Sequence, residues 1–425
     1  MTIVRDLPPS ASQEATAPRL LAGSSDARQR LTWQGHVSVH GHLPTMVTRG
    51  DVDLLDWADA VNLRGRGGAH FPFARKARAV RAAGGGAVVV GNGSEGEPAS
   101  RKDAELLLRA PHLVLDGLQL AAAAVGAREL RLVVGDATAR ASVEAAVDER
   151  REAGLAERRV ELRKAPGRFV AGESSAVVRI AARGAARPAF TTRPAAAGGV
   201  DGRPTLVSNV ETLAQLALLG RIGVAGYSSS GTVDEPGTTL LTVHRPGEEP
   251  EVLEVPFGTP ITDLFGAAPF QALLSGGYHG AWVSGDAAVR AVVTRASLAE
   301  VGGSLGAGVL LALPVSCCAL VESAPMVELM ATQVAGQCGP CVNGLPAIAA
   351  VLSALAAGVA GRGELERLER WCGMVMGRGA CAHPDGVVRF VRSLLTVFAD
   401  EVDGHLLGGC GRPCRGLLPL GELAR

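Results

Sequence analysis

Ala87-Val88-Val89-Val90-Gly91-Asn92-Gly93-Ser94-Glu95-Gly96-Glu97-Pro98 opens on four small or branched apolar residues and closes on a glycine-broken loop with two carboxylates. The apolar run predicts a strand buried on both faces, the kind that parallel sheets use. The loop has the spacing G-x-G-x-x-G, which after a strand invites a dinucleotide reading. The residues after the loop reject it. A dinucleotide fingerprint opens a helix whose N-terminus meets the pyrophosphate, whereas Glu95, Glu97 and Pro98 intervene and no helical pattern begins before about Lys102. Two acids beside glycines better suit hydrogen bonds to polar ring edges or ribose hydroxyls. Outward from this stretch, Pro111 stands where a helix starts, and that helix runs to about Val125. Leu130 to Val134 reads as a second strand and Ala137 to Ala153 as a polar-faced helix. The alternation predicts an α/β layer fold.

The whole chain has 425 residues, long enough for two or three domains. Its 42 basic and 42 acidic residues give a formal net charge of zero, which argues against a nucleic-acid partner. Lysine occurs only at positions 76, 102 and 164. Eight cysteines begin at Cys317, too few and too late for a secreted disulfide scaffold. Met1 to Arg5 lack the apolar run of a signal peptide. The uncharged stretches around 301–321 and 329–361 are broken by glycine, proline and amides, so neither supplies the ~20 apolar residues of a spanning helix. A cytoplasmic protein is expected, with association to a membrane complex left open.

Residues 1–45, rich in Pro, Ser, Ala and Arg, read as a flexible lead-in. His36, His40 and His42 fall there and are expected in an exposed polar loop. Around residues 238–290 the pattern changes. Thr239 to His244 and Val252 to Val255 alternate like hairpin strands, followed by a short helix near Ile261 to Phe265. Beyond about Met326 the pattern is helical, with Leu345 to Ala357, Leu365 to Met376 and Val387 to Ala399 as bundle helices. A tail rich in Gly, Cys and Pro ends the chain. A second glycine loop, Arg64-Gly65-Arg66-Gly67-Gly68-Ala69-His70-Phe71, offers backbone amides and guanidinium groups to a flat or anionic ligand. A plain surface turn is an equally good reading of that loop alone.

Taken together the motifs resemble a known family. The 64–71 loop resembles R-G-R-G-G-A-G-F of the NADH-oxidising flavoprotein subunit of respiratory complex I, a family shared with the diaphorase subunits of NAD-linked hydrogenases and formate dehydrogenases. Asn92 to Asp103 is similar to N-A-D-E-x-E-P-G-T-x-K-D, Gly167 to Glu173 to G-R-Y-x-C-G-E, and Gly202 to Thr205 with Ser208 to Thr212 to G-K-P-T and N-N-V-E-T. Cys338 to Cys341 with Gly344 to Pro346 resembles the end of S-C-G-x-C-T-P-C-R-x-G-L-P, and Gly379 to Pro384 the downstream cysteine segment. The matches keep the family's order from about residue 64 to 384.

The resemblance implies an α/β fold class in three modules. A Rossmann-like FMN-binding domain would span 46–235 and a ubiquitin-like β-grasp (SLBB-like) region 236–325. A helical bundle with an iron–sulfur binding region would span 326–400, and a cysteine-containing tail 401–425. It implies electron transfer between NAD(P)H or another donor, FMN and a 4Fe–4S cluster, with a ferredoxin-like, other electron-transfer or membrane subunit as partner. Gly65, Arg66, Gly67 and Lys76 would line the FMN phosphate and ring. Asn92, Glu95 and Asn209 would hydrogen-bond the flavin or its ribityl chain. Glu97 would sit by the flavin–nicotinamide stack as the catalytic group, and Phe71 would flank the adenine.

The departures fall unevenly. Ser94 replaces a family Asp, Ser174 the second Glu of G-E-E, and Ala79 an adenine-stacking aromatic. Thr191 to Ala197 lacks the family's Lys and Phe, and His70 replaces a Gly. Stacking is worth ~1–3 kcal/mol per base, so the losses at Ser94, Ser174, Ala79 and Thr191 to Ala197 fall on NADH rather than on FMN, whereas His70 adds bulk close to the flavin, and NAD(H) use is doubtful. A 4Fe–4S cluster takes four thiolates, yet Ala335 stands at the family's first cysteine, leaving Cys338, Cys341 and Cys381. An incomplete cluster, or a fourth ligand from Cys372, His383, Cys410 or Cys414, stays open beside a structural zinc site on Cys338, Cys341, Cys381 and His383, or a redox dithiol. Cys317 and Cys318 read as core thiols. A non-catalytic scaffold derived from the family is the competing function.

Overall fold

The computed structural model describes residues 19–23, 29–190, 193–266, 269–413 and 416–420. Four parallel strands, β1 (Val88–Gly93), β2 (Glu129–Val134), β3 (Val160–Lys164) and β4 (Thr205–Asn209), lie in the order β3-β2-β1-β4. Val88, Val90 and Val133 face a layer with Ala171, Val177 and Ile180, while Val89, Leu130, Leu132 and Val134 face the opposite core with Leu106, Leu118 and Leu213. Both faces are covered, which is why β1 reads as a continuous apolar run. The helix after β1 begins at Lys102 and a second at Pro111, where the sequence sets them. The strand order reverses between β1 and β4, and open parallel sheets take ligands outside the strands' carboxyl ends at such a point. Asn92 and Asn209 meet there in register.

The glycines of the 91–96 loop serve packing. A Cβ on Gly96 would lie 2.2 Å from the Phe169 carbonyl oxygen, and one on Gly172 would lie 2.6 Å from that of Ser94. The strand-end loop and the Phe169–Gly172 turn can touch backbone to backbone only because both positions are Gly.

The second sheet comprises β5 (Thr238–His244), β6 (Glu251–Pro256), β7 (Phe270–Ser275), β8 (Ala281–Ser284) and β9 (Val309–Pro314), in the order β6-β5-β9-β7-β8. The β5–β6 hairpin and the Ile261–Phe265 helix match the sequence pattern. The helices Ala319–Thr332, Leu345–Ala356, Arg362–Val375, His383–Val397 and Ala399–Leu406 build the bundle on Met326, Leu345, Leu352, Leu368 and Phe390. Among the described residues no helix is long and apolar enough to cross a membrane.

The segment read as a flexible lead-in is corrected for its described part. Glu254 accepts hydrogen bonds from the amides of Leu20 and Leu21 at 3.0 Å. Trp33–His40 is a helix capped by Thr32. His36 and His40 are buried rather than exposed; His42 is exposed. The pattern misled because this short helix buries imidazoles against Trp33 and His112 instead of an apolar stripe. His36 Nε2 meets Asp116 at 2.9 Å, beside Arg150 and Arg221. Among the described residues neither ring nitrogen of His40 has a hydrogen-bond partner.

Burial, with His36 and Arg221 nearby, pushes His40 down to about 3, against a weak opposing pull from Asp116. A base whose folded pKa is lowered stabilises the fold above its unfolded value near 6.5, and that stability drains as pH falls from 6.5 toward 3. Urea unfolding at pH 7 and pH 4 should therefore show the wild type losing roughly 3 kcal/mol more than His40→Leu. Equal losses in both proteins would contradict the assignment.

Candidate functional site

The loop 64–71 folds across the carboxyl end of the parallel sheet. The Gly65 amide donates to the Phe71 carbonyl at 3.0 Å, closing the loop on itself. Gly67 is exposed, and a Cβ there would lie 3.3 Å from Asn209 Cβ, so the loop lies close over the end of β4. Lys76, on the Phe73–Ala83 helix, reaches the Val207 carbonyl at 3.2 Å. Burial holds its ammonium below the usual lysine range. Among the described residues no carboxylate pairs with it. An uncompensated, half-buried cation beside glycine backbone at the sheet's switch point fits an anionic group such as the FMN phosphate.

Other residues named from the sequence have protein partners. Asn92 Nδ2 donates to the Gly172 carbonyl at 3.0 Å. Asn209 caps the Val210–Ser228 helix through the Glu211 amide and donates to Asp103 at 2.6 Å. Glu95 accepts from Ser100 Oγ and from the amides of Asp103 and Ala104, at the start of the Lys102–Arg109 helix. Glu97 is buried, accepting from the Ala99 amide at 3.2 Å and from the Tyr278 amide at 2.8 Å, and burial pushes it up to about 7. Arg66 points away from the loop's open side: its guanidinium donates to the Thr238 carbonyl, lies 3.7 Å from Glu211 and covers the Phe257 ring at 4.6 Å. Phe71 is exposed with the Arg75 guanidinium 5.4 Å from its ring centroid. His70 has φ of +48°, in the left-handed region that favours glycine, and its Nδ1 bonds back to the Gly65 carbonyl.

Beneath these residues lies a charge network that motif reading did not find. Lys102 Nζ is buried between Asp103 at 2.6 Å and Glu211 at 3.0 Å. Glu211 also accepts from Thr239 Oγ1 and the Leu240 amide of β5, so it ties the first sheet's helix to the second sheet. Burial works against the Lys102 charge, but Asp103, Glu211 and Glu95 outweigh it and hold its pKa above normal. The same burial raises Glu95 and Asp103. A signal was present: Lys102 is one of three lysines in a chain that otherwise uses arginine.

The bundle holds the second site. Cys338 and Cys341 flank the turn that enters the Leu345–Ala356 helix, and Cys381 lies just before the His383–Val397 helix. A pocket brings all three together with Ala335, Gly336, Val170 and Pro188. The Ala380 amide points at Cys338 Sγ from 3.4 Å. Burial pushes the Cys341 thiol up to about 12, with Cys381 and Cys338 adding to it, so three thiolates here require bound cations. The donor set fits three corners of an iron–sulfur cluster, with Ala335 lining the wall where the fourth cysteine is missing.

The zinc alternative is overturned. His383 Nε2 bonds the Met330 carbonyl at 2.9 Å and its Nδ1 meets His279 Nε2 at 3.0 Å, so neither ring nitrogen is free. Nor do these donors converge within 4.8 Å as one ion requires; among the described residues only Cys318, His405 and Cys410 do. Cys372 is buried off the pocket, Cys410 lies with Cys318, and Cys414 falls outside the described residues.

Residues 58–218 match the family profile described as the Nuo51 FMN-binding domain, and residues 316–405 that of the NADH-ubiquinone oxidoreductase-F iron-sulfur binding region. The chain is 29% identical over 374 residues to the NADH-quinone oxidoreductase F-subunit 2 of Rhizobium meliloti (strain 1021), covering 83% of this chain and 89% of that protein. Identity is 25% over 393 residues to the NADP-reducing hydrogenase subunit HndC of Solidesulfovibrio fructosivorans, with 87% and 80% covered. A crystal structure of an NAD+-reducing NiFe-hydrogenase in the H2-reduced state superposes with a TM-score of 0.77 at 28% identity, over 83% of this chain and 62% of that one. A flavin-type layer joined to a thiol-lined bundle thus defines an oxidoreductase of the electron-transfer class. The chain carries the Nuo51 FMN-binding domain and the NADH-ubiquinone oxidoreductase-F iron-sulfur binding region, the two domains of that subunit family.

Glu211→Ala should lower stability by about 3–5 kcal/mol, because it takes from the buried Arg66 its carboxylate partner and leaves Lys102 with Asp103 as its direct partner. Adding Lys102→Met should recover part of that loss. Chemical denaturation of both variants reads the effect, and a loss under 1 kcal/mol for Glu211→Ala would refute the clamp.

Proposed function

We propose that this chain passes electrons between a hydride donor, FMN and an iron–sulfur cluster, as a subunit of a larger electron-transfer assembly. One observation carries the reading: the segment Gly167 to Glu173 touches both candidate sites. Gly172 holds Asn92 at the sheet end, Val170 lines the cysteine pocket, and Phe169 packs on His279 and His383 at 4.5 and 5.3 Å. When bound, FMN accepts two electrons together and releases them singly, which suits a cluster that takes one at a time.

The chain's own residues then have definite work. Lys76 and the exposed Gly67 and Gly68 of the loop face the phosphate, and Asn92 and Asn209 set the sheet end on which the ring rests. Arg66 and Glu95 support that floor from below through Glu211 and the Lys102–Arg109 helix. Glu97, neutral over much of the range below pH 7, keeps water and charge away from the junction of the two sheets. Phe71 offers one aromatic face to an adenine, while Ala79 offers none opposite. NAD(P)H is therefore a weak donor in this reading, and a ferredoxin-like or other electron-transfer subunit is the partner. Support for an assembly comes from relatives that are themselves named as subunits.

Purified protein, reconstituted with FMN, iron and sulfide, should be yellow-brown. Cys381→Ser should lose iron and sulfide while keeping the flavin. Lys76→Met should weaken FMN binding by roughly 10–100-fold, the worth of a charge-assisted contact. NADH should bleach the flavin band far more slowly than reduced ferredoxin does. A colourless product with neither FMN nor iron would sink the reading.

A further inference from the structure

We propose that Cys318, His405 and Cys410 bind one zinc ion, separate from the cluster pocket, that clamps the C-terminal tail onto the bundle. His405 Nε2 lies 3.2 Å from Cys318 Sγ and 3.2 Å from Cys410 Sγ. All three donor atoms fall within 4.8 Å of one another. With Zn–S near 2.3 Å and Zn–N near 2.0 Å, a tetrahedral ion needs S···N separations of roughly 3.5 Å. A few tenths of an ångström of outward movement therefore accommodates the ion.

The surroundings select a metal rather than a chance cluster. His405 Nδ1 sits 3.1 Å from the Leu355 carbonyl, so it carries the proton and leaves the Nε2 lone pair directed at the two sulfurs. This is the orienting contact that metal-bound histidines make. Cys318 caps the 14-residue Ala319–Thr332 helix, accepting from the Val321 amide at 3.4 Å. Two thiolates and a neutral imidazole balance a divalent ion, and the soft donor set suits zinc. Binding releases two thiol protons and leaves the fourth position to water.

The tail has other anchors at the same place. The Cys318 amide donates to the Pro413 carbonyl at 3.2 Å, and Glu401 accepts from both the Ala319 amide and Arg412. Cys318 and His405 are fully buried, while Cys410 arrives on the tail and is half-buried. The ion would thus join the start of one bundle helix, the end of the last, and the strap beyond it.

The test uses the full chain, expressed with zinc, iron and sulfide supplied, and counts zinc, iron and sulfide in wild type, Cys410→Ser and His405→Gln. Wild type should hold about one zinc per chain. Each variant should lose at least tenfold in zinc affinity, with iron and sulfide unchanged, whereas Cys381→Ser should lose iron and keep zinc. Co2+ added to zinc-stripped wild type should give a thiolate charge-transfer band that Cys410→Ser lacks. Cys410→Ser alters only a tail residue, so unchanged circular dichroism separates lost zinc from lost folding. Three outcomes would overturn the proposal: no zinc bound by wild type, iron falling together with zinc in Cys410→Ser, or an intact mass showing a Cys318–Cys410 disulfide.

Discussion

Lys102 is an ammonium group almost wholly removed from water, and the arrangement of the N-terminal half stems from keeping it charged. Burying an unpaired charge is prohibitive, so carboxylates must meet it from several directions. Asp103 comes from its own helix and Glu211 from the helix after β4. Glu211 spends its remaining oxygen capacity on β5. One cation therefore fixes how the parallel sheet stands against the second sheet. Asn209 and Arg66, both assigned to the flavin from sequence, are held in place by members of the same network.

The opposite end of the molecule relies on sulfur instead of charge. Cys341 is buried and Cys338 and Cys381 are half-buried, between the bundle on one side and Val170 and Pro188 on the other. That shared wall is what makes two modules into one electron-transfer unit. The ring cluster of Phe169, His279 and His383 fills the same seam, and with both nitrogens of His383 engaged it supplies packing rather than ligands.

Strong local patterns were readable. The valine run of β1, Pro111 at a helix start and the bundle's apolar spacing depend on near neighbours, and each element lies where its residues direct. The three thiols could be grouped because motif order survives in the chain. What escaped depends on contacts distant in sequence. His36 and His40 look like loop residues until His112 and Asp116 are brought beside them. Glu211 looks like a helix-start acid until β5 arrives. Cys410 stands among the candidate fourth ligands of the cluster until tertiary folding sets it beside Cys318 and His405 instead. Arg66 was placed at the FMN phosphate and ring by the resemblance, and the partners that turn its guanidinium inward, Thr238, Glu211 and Phe257, lie far along the chain.

The segment from Gly167 to Glu173 has a mechanical meaning. At one end it is stapled to Asn92, at the other it forms part of the wall around the cysteines, and Gly96 and Gly172 let the backbones touch without side chains between them. The gap between the two candidate cofactor sites is therefore measured out by a few covalently joined residues, like a ruler, and not by how tightly two domains happen to dock. Such a spacing tolerates breathing of the domains. It does not tolerate an insertion, so this short stretch is where the chain has the least freedom to change length.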